Sequence, residues 1–307
     1  HNPKPAPGDL VLPLPKGQEI VFRPVPLGSG GNLFAWKRFT LGDPYGGFKE
    51  NPTQAALGGS FLYEMDGKKE WVYYLAKYEL TRAQYYSLIK PGPKVPSSDL
   101  KSSLPMNKLS GFQAMQFVDL LNQWLYQNHM QKLPSYGGIP GFVRLPLEEE
   151  WEFAARGGGK VSPDDFDRKL PFAGNPAAYE WYSGPKSSHN KIKKSGLLKP
   201  NPLGLHDMLG NVTEMTHSLY RVEYYQGRPG GFVARGGHYL TSAKSLRTSL
   251  RTEEPFYLVT RKGPPKSNQK ATLGLRLAIS SLVFPNRSTA QEMASAWGEY
   301  RKGAGAG

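Results

Sequence analysis

Residues 232–252 read FVARGGHYLTSAKSLRTSLRT. A twin-glycine turn, a run of hydroxyls and closely spaced arginines give this stretch the look of an active-site strand and loop. It holds a single histidine, His238, no cysteine, and no carboxylate before Glu253. Either it is a catalytic site with unfamiliar chemistry, or a catalytic scaffold whose chemistry has been removed. The chain narrows that choice, because its 307 residues contain no cysteine at all, which rules out disulfides, thiolate metal sites and thiol nucleophiles together. The six histidines (His1, His129, His189, His206, His217, His238) form no H-x-x-x-H or H-E-x-x-H pair, and His206 and His217 are too loosely spaced to define a metal site. No G-x-S-x-G elbow is present, although a Ser/His/Asp arrangement assembled from distant residues is not excluded by spacing.

The elements that must position these side chains are read from pattern. Thr81 with Gln84 is a capping-box pair, so TRAQYYSLIK is expected to be a short helix stopped by Pro91. Ser110 with Gln113 opens a longer helix through SGFQAMQFVDLLNQWLYQN, with Phe112, Met115, Val118, Leu121 and Leu125 predicted as its buried face. A third helix is expected in LEEEWEFAARGG, with Glu148–Glu150 at the positive end of the helix dipole and Gly157 as C-cap. Strands are expected at about 19–26 and in EWVYYLAKYELT, and a last helix in 288–300. The remainder reads as loops and short strands. Residues 1–18 read as an extended, partly mobile Pro-rich arm, 19–283 as one domain, and 284–307 as a C-terminal extension.

Gly (35) and Pro (27) are abundant, and 17 Tyr, 14 Phe and 6 Trp supply a core, so a compact, loop-rich domain is expected. The net charge of +14 is uneven: residues 1–150 carry 16 Lys+Arg against 13 Asp+Glu, the rest 23 against 12. An anionic partner or a well-solvated basic surface both fit that balance. No Lys/Arg track interleaved with aromatics is present, so nucleic acid is not expected as a partner. No apolar run reaches the length of a membrane-spanning helix. The start, HNPKPAPGDLVLPLPKG, reads as a processed secreted form or a truncated chain.

Five stretches in order, KYELTRAQY (77–85), RLPLEEEWEFAARGG (144–158), PNPLGLHDMLGNVTEM (200–215), ARGGHYL (234–240) and GLRLA (274–278), resemble the formylglycine-generating enzyme family. The resemblance spans roughly residues 20–280. It implies an α+β fold related to C-type lectins: irregular and loop-rich, with few short helices and small antiparallel sheets. In active members a cysteine pair after the twin glycine binds Cu(I) and oxidises a sulfatase cysteine. Those positions fall on Thr241 and Leu246 here, and neither side chain replaces a soft thiolate, so no copper and no formylglycine chemistry are expected. The resemblance further implies one structural Ca²⁺, with Asp207 and Glu214 as side-chain ligands and Gly210 and Val212 giving carbonyl oxygens. An Asx-type turn without an ion is the alternative. No second calcium is expected, because the corresponding region carries five lysines within 186–199.

The family's substrate groove would correspond to Thr213, His238, Thr241, Ser245, Leu246 and Arg247, here expected to bind a peptide or protein. Among cysteine-free members the chain resembles accessory proteins of type VI secretion. That implies a periplasmic regulator acting with an outer-membrane lipoprotein upstream of a membrane Ser/Thr kinase, with peripheral membrane association open. An enzyme of another reaction type, and a glycan- or cell-wall-binding module using Tyr224, Tyr225 and Tyr239, remain as alternatives. Residues 253–270 are a candidate lid over the groove.

Overall fold

The computed structural model describes residues 4–28, 35–65, 67–220, 231–281 and 287–304. Strands β1 (Leu10–Pro13) and β2 (Glu19–Gly28) pair antiparallel, Leu10 facing Phe22. The predicted arm is therefore corrected: residues 10–13 belong to the domain, because Leu12 is buried in the core and β1 satisfies its backbone on β2. Pro24 and Pro26 fall in the half of β2 where β1 has ended, an edge that tolerates proline. β3 (Lys37–Leu41) and β4 (Thr53–Leu57) form a separate ribbon.

β5 (Phe61–Met65) and β6 (Lys68–Ala76) make a hairpin, and β6 is the central strand of the main sheet. Its alternation divides the core. Val72, Tyr74 and Ala76 face one cluster, Tyr73 and Leu75 the other, so the sheet is covered on both sides. The first cover is helical: α1 (Arg82–Leu88) and α2 (Gly111–Asn128), each opened by the expected capping box, Thr81 with Gln84 and Ser110 with Gln113. The buried side of α2 is Ala114, Phe117, Leu121 and Leu125, whereas Phe112 and Met115 are 42% and 43% exposed. The predicted face is thus right at its C-terminal end and rotated at its start. There, small Ala114 lets the helix approach the sheet, and Phe112 turns outward against Phe256 and Tyr257.

After a small ribbon of β7 (Ser135–Tyr136) and β8 (Ile139–Pro140), β9 (Phe142–Arg144) leads into α3 (Glu148–Ala155). Leu147 offers no capping acceptor, but the Glu150 carboxylate accepts from the Leu147 N–H at 2.9 Å, half of a capping box. Gly157, at φ 95°, ends the helix in the left-handed conformation expected of it. α3 supplies Trp151, Phe153, Ala154 and Ala155 to the second cluster. A short α4 (Pro163–Phe166) and a long irregular segment follow.

The second sheet runs β12–β11–β10–β15, built from β10 (Thr213–Leu219), β11 (Phe232–Arg235), β12 (Arg251–Glu254) and β15 (Leu273–Leu275). Its β10–β15 pair is parallel, the one departure from the expected antiparallel sheets among the described strands. Between β12 and β15 a two-stranded finger, β13 (Tyr257–Leu258) with β14 (Lys266–Ser267), leaves the sheet. β16 (Ala278–Ser280) closes the main sheet between β6 and β9, and α5 (Arg287–Ala304) packs Ala290 near Trp71 and Ile139.

Candidate functional site

The five stretches that carry the resemblance converge in the interior, where they build a charge network. Arg276 is fully buried. Its Nε and Nη2 bind Glu214 at 2.7–3.1 Å, and its guanidinium also donates to the carbonyls of Ala76 (2.9 Å) and His206 (2.7 Å). The Trp151 indole donates to Glu214 at 2.6 Å. One residue along α3, Glu152 accepts from Gly42 N (2.8 Å) and Arg156 (2.5 Å) and pairs with Arg235. Glu79 accepts from Ser195 Oγ and Asn211 Nδ2, both at 2.8 Å, and from Val212 N at 3.2 Å. Glu180 accepts from Leu209 N at 2.9 Å. These bonds fix the 207–214 turn against β6 and α3. Buried ions are tolerated here because nearly every charge meets an opposite charge or several donors.

Carboxylates outnumber arginine around that turn. Burial, reinforced by Asp207, pushes both Glu79 and Glu180 well above the usual carboxylate range. Burial likewise raises Asp207 to about 6. Asp207 Oδ2 accepts from Gly196 N at 2.6 Å, but its buried Oδ1 has no hydrogen-bond partner.

Of the predicted calcium ligands, Asp207 fits a hard cation through that orphaned oxygen. Glu214 does not, and is corrected to the ion-pair partner of Arg276, since both its oxygens are already bound and a guanidinium beside them opposes a dication. The Val212 N–H is held by Glu79 and the Gly210 N–H donates to the Gly236 carbonyl at 2.9 Å, so the turn is fixed by protein groups. Among the described residues no group of three or more His, Asp or Glu side chains is placed to hold a metal ion.

The predicted groove separates into two sets. Leu246 is 0% exposed within the second core cluster, and Thr213 is buried where β10 joins β15. Neither lines a surface groove, which corrects both: Leu246 fills a hydrophobic space and Thr213 N donates to the Thr272 carbonyl at 2.8 Å. His238, Thr241, Ser245 and Arg247 are half-buried and do lie together on one loop. Gly236 and Gly237, at φ 90° and 74°, make its sharp entry, and a Cβ on Gly236 would collide with the Met208 carbonyl and the Trp151 ring. Thr241 Oγ1 accepts from His238 N (2.8 Å), while Thr241 N donates to the His238 carbonyl (2.7 Å), so the hydroxyl serves the turn. Ser245 pairs with Ser242 at 2.9 Å. Arg247 grips Glu50 with Nε (2.7 Å) and Nη2, and that bond raises its pKa.

His238 Nδ1 accepts from Leu240 N at 3.1 Å, which leaves this nitrogen unprotonated, and burial lowers its pKa, partly opposed by Glu254. Pattern reading missed the outward groups of this loop: Leu240 is 47% exposed, and Ser242 and Lys244 are exposed beside it. Residues 253–270 fold onto α2, Gln269 Nε2 reaching Gln113 at 2.7 Å and Phe256 meeting Phe112 and Phe232. At the base of this segment Lys270 pairs with Glu254 at 2.8 Å. Tyr239 is half-buried, while Tyr224 and Tyr225 lie outside the described residues.

This scaffold has recognisable relatives. The model of the sulfatase-modifying factor enzyme 1-like domain matches residues 52–280, and the chain belongs to that family. It is 33% identical over 143 residues to the inactive C-alpha-formylglycine-generating enzyme 2 of Mus musculus, covering 45% of this chain and 43% of the mouse protein. The match thus spans less than half of that relative. The chaperone protein LppX of Paenibacillus barcinonensis is 26% identical over 211 residues, 58% of this chain and 72% of that protein. Among solved structures, Treponema denticola variable protein 1 superposes with a TM-score of 0.61 at 21% identity, over 89% of this chain and 99% of that one. PvdO from Pseudomonas aeruginosa gives 0.58 at 17% identity, over 90% and 100%. At these identities the two structures establish the shared fold alone.

Proposed function

We propose that this chain is a non-catalytic interaction protein that uses the formylglycine-generating scaffold to present a loop to a protein partner. One observation carries the reading: at the two positions matching the family's cysteine pair, Thr241 is engaged in a turn and Leu246 is sealed in the core. Neither can supply a soft ligand to Cu(I) or form a thiolate. The mouse relative, named as inactive, supports the same reading. The docking face comprises His238, Leu240, Thr241, Lys244, Ser245 and Arg247, with half-buried His238, Thr241, Ser245 and Arg247 around exposed Leu240 and Lys244.

The finer proposal is that the chain acts in the periplasm with an outer-membrane lipoprotein to promote activation of a membrane Ser/Thr kinase controlling type VI secretion. A chain without cysteine suits an oxidising envelope compartment, and its basic balance suits an acidic partner face. The test is a photo-crosslinker at Leu240 in cells. Crosslinks to the lipoprotein or the kinase ectodomain, lost when Lys244→Glu is added, are expected. A chain that crosslinks to neither, yet turns over a small molecule, would overturn the proposal.

A further inference from the structure

The finger β13–β14 has no role in the loop just described, and its composition is distinctive. From Pro255 to Lys270 the chain carries Arg261, Lys262, Lys266 and Lys270 and no acidic residue. Residues 257–267 are exposed throughout except for half-buried Thr260. Tyr257, Leu258 and Val259 are 54%, 39% and 91% exposed, an apolar run that a water-facing hairpin does not need. The Tyr257 ring meets Phe112 of α2 at 5.5 Å, and Val259 follows directly after β13. Leu258 pairs with Lys266 across the finger. At the tip, Thr260 Oγ1 lies within hydrogen-bond reach of the carbonyls of Lys262 (3.3 Å), Gly263 (2.9 Å) and Pro264 (3.2 Å), which ties the turn. Lys270 is paired with Glu254, but Arg261, Lys262 and Lys266 have no ion-pair partner among the described residues.

We propose that this finger is a membrane-surface anchor that inserts Tyr257, Leu258 and Val259 into the headgroup layer of an anionic bilayer, with Arg261, Lys262 and Lys266 on the lipid phosphates. A protein partner is the weaker match to this shape. A finger of two residues per strand offers much less than the roughly 800 Å² a stable protein interface takes from each side. An apolar wedge fringed by cations is what an interfacial anchor requires, the wedge supplying burial and the cations the attraction to negative lipid. No helix among the described residues is long and apolar enough to cross a membrane, so association through the finger would be peripheral. The inference does not depend on the proposed function, since it concerns a different element.

The test uses the full chain with vesicles of phosphatidylglycerol mixed into phosphatidylcholine, and with phosphatidylcholine alone. Because a chain of charge +14 will be drawn to any anionic surface, Arg261→Glu/Lys262→Glu is compared with the same charge change at exposed Lys186 and Lys191 (Lys186→Glu/Lys191→Glu). Sedimentation with the mixed vesicles only is expected, weakened at least about tenfold by the finger pair and little by the distant pair. Leu258→Ser/Val259→Ser should weaken it while leaving the fold intact. The indole of Val259→Trp should shift to the blue on binding and be quenched by brominated lipid. Equal loss in the two charge pairs, an indole that stays in water, or no vesicle binding at all would each overturn the proposal.

Discussion

Asp207 shows most plainly how a single residue is constrained here. It sits at φ 55°, in the left-handed region, with Oδ2 bound by Gly196 N and Oδ1 buried without a partner. Its folded pKa, about 6, lies above the ordinary 3.8, so folding favours the protonated acid. The resulting destabilisation is therefore complete above about pH 6 and fades as the pH falls toward the unfolded value. Asn tolerates the same backbone conformation and can still accept from Gly196. With chelator present, Asp207→Asn should raise unfolding stability near neutral pH by on the order of 2–3 kcal/mol, and much less near pH 4, as read by denaturant melts. If calcium does bind Asp207, adding it should raise the melting temperature of the wild type and not that of Asp207→Asn. The redox positions give a second residue-scale prediction. In Thr241→Cys/Leu246→Cys a thiol reagent should modify one thiol in the native protein and two in denaturant, because only position 241 reaches the surface. Two fast native thiols would contradict the placement of Leu246.

At the scale of elements, legibility followed local chemistry. Both capping boxes and the Gly157 stop were readable because each is a short-range exchange of backbone partners. The start of α2 was not, since what lies over Phe112 is the finger, about 145 residues further along, and periodicity carries no record of it. The side-chain direction at Leu246 had no local signal either, lying at the end of a single 3₁₀ turn in an irregular loop. α3 begins with a cap that is only half made. Leu147 has N-cap geometry (φ −69°, ψ 157°) and Glu150 already returns its half of the box. Leu147→Thr should therefore add the missing acceptor and stabilise the protein by about 0.5–1 kcal/mol in equilibrium melts, net of the lost leucine packing. A destabilised variant would mean that the half-buried Leu147 side chain matters more than the cap.

Across the whole molecule, the motifs that identify the family turn out to be interior architecture. Glu79, Trp151, Glu152, Glu214, Arg235 and Arg276 come from distant stretches and are all buried: Trp151 and Arg276 bind Glu214, Arg235 binds Glu152, and Glu79 holds the 211–212 turn. That explains how the fold was legible from five short stretches while the surface was not: charged residues are ordinarily solvated, and nothing near Glu79 in the chain announces that Asn211 and Val212 will enclose it. It also allows a chain to keep the scaffold without the cysteine pair, because the charge network and the loop at 238–247 are separable. That separation is tested most directly by an oxidation assay. Purified chain is given Cu(I), oxygen and a cysteine-containing sulfatase peptide, and the peptide is followed by mass spectrometry alongside the copper retained by the protein. An unchanged thiol peptide and no stoichiometric copper are predicted. Conversion of the peptide thiol to the aldehyde by this cysteine-free chain would contradict the account.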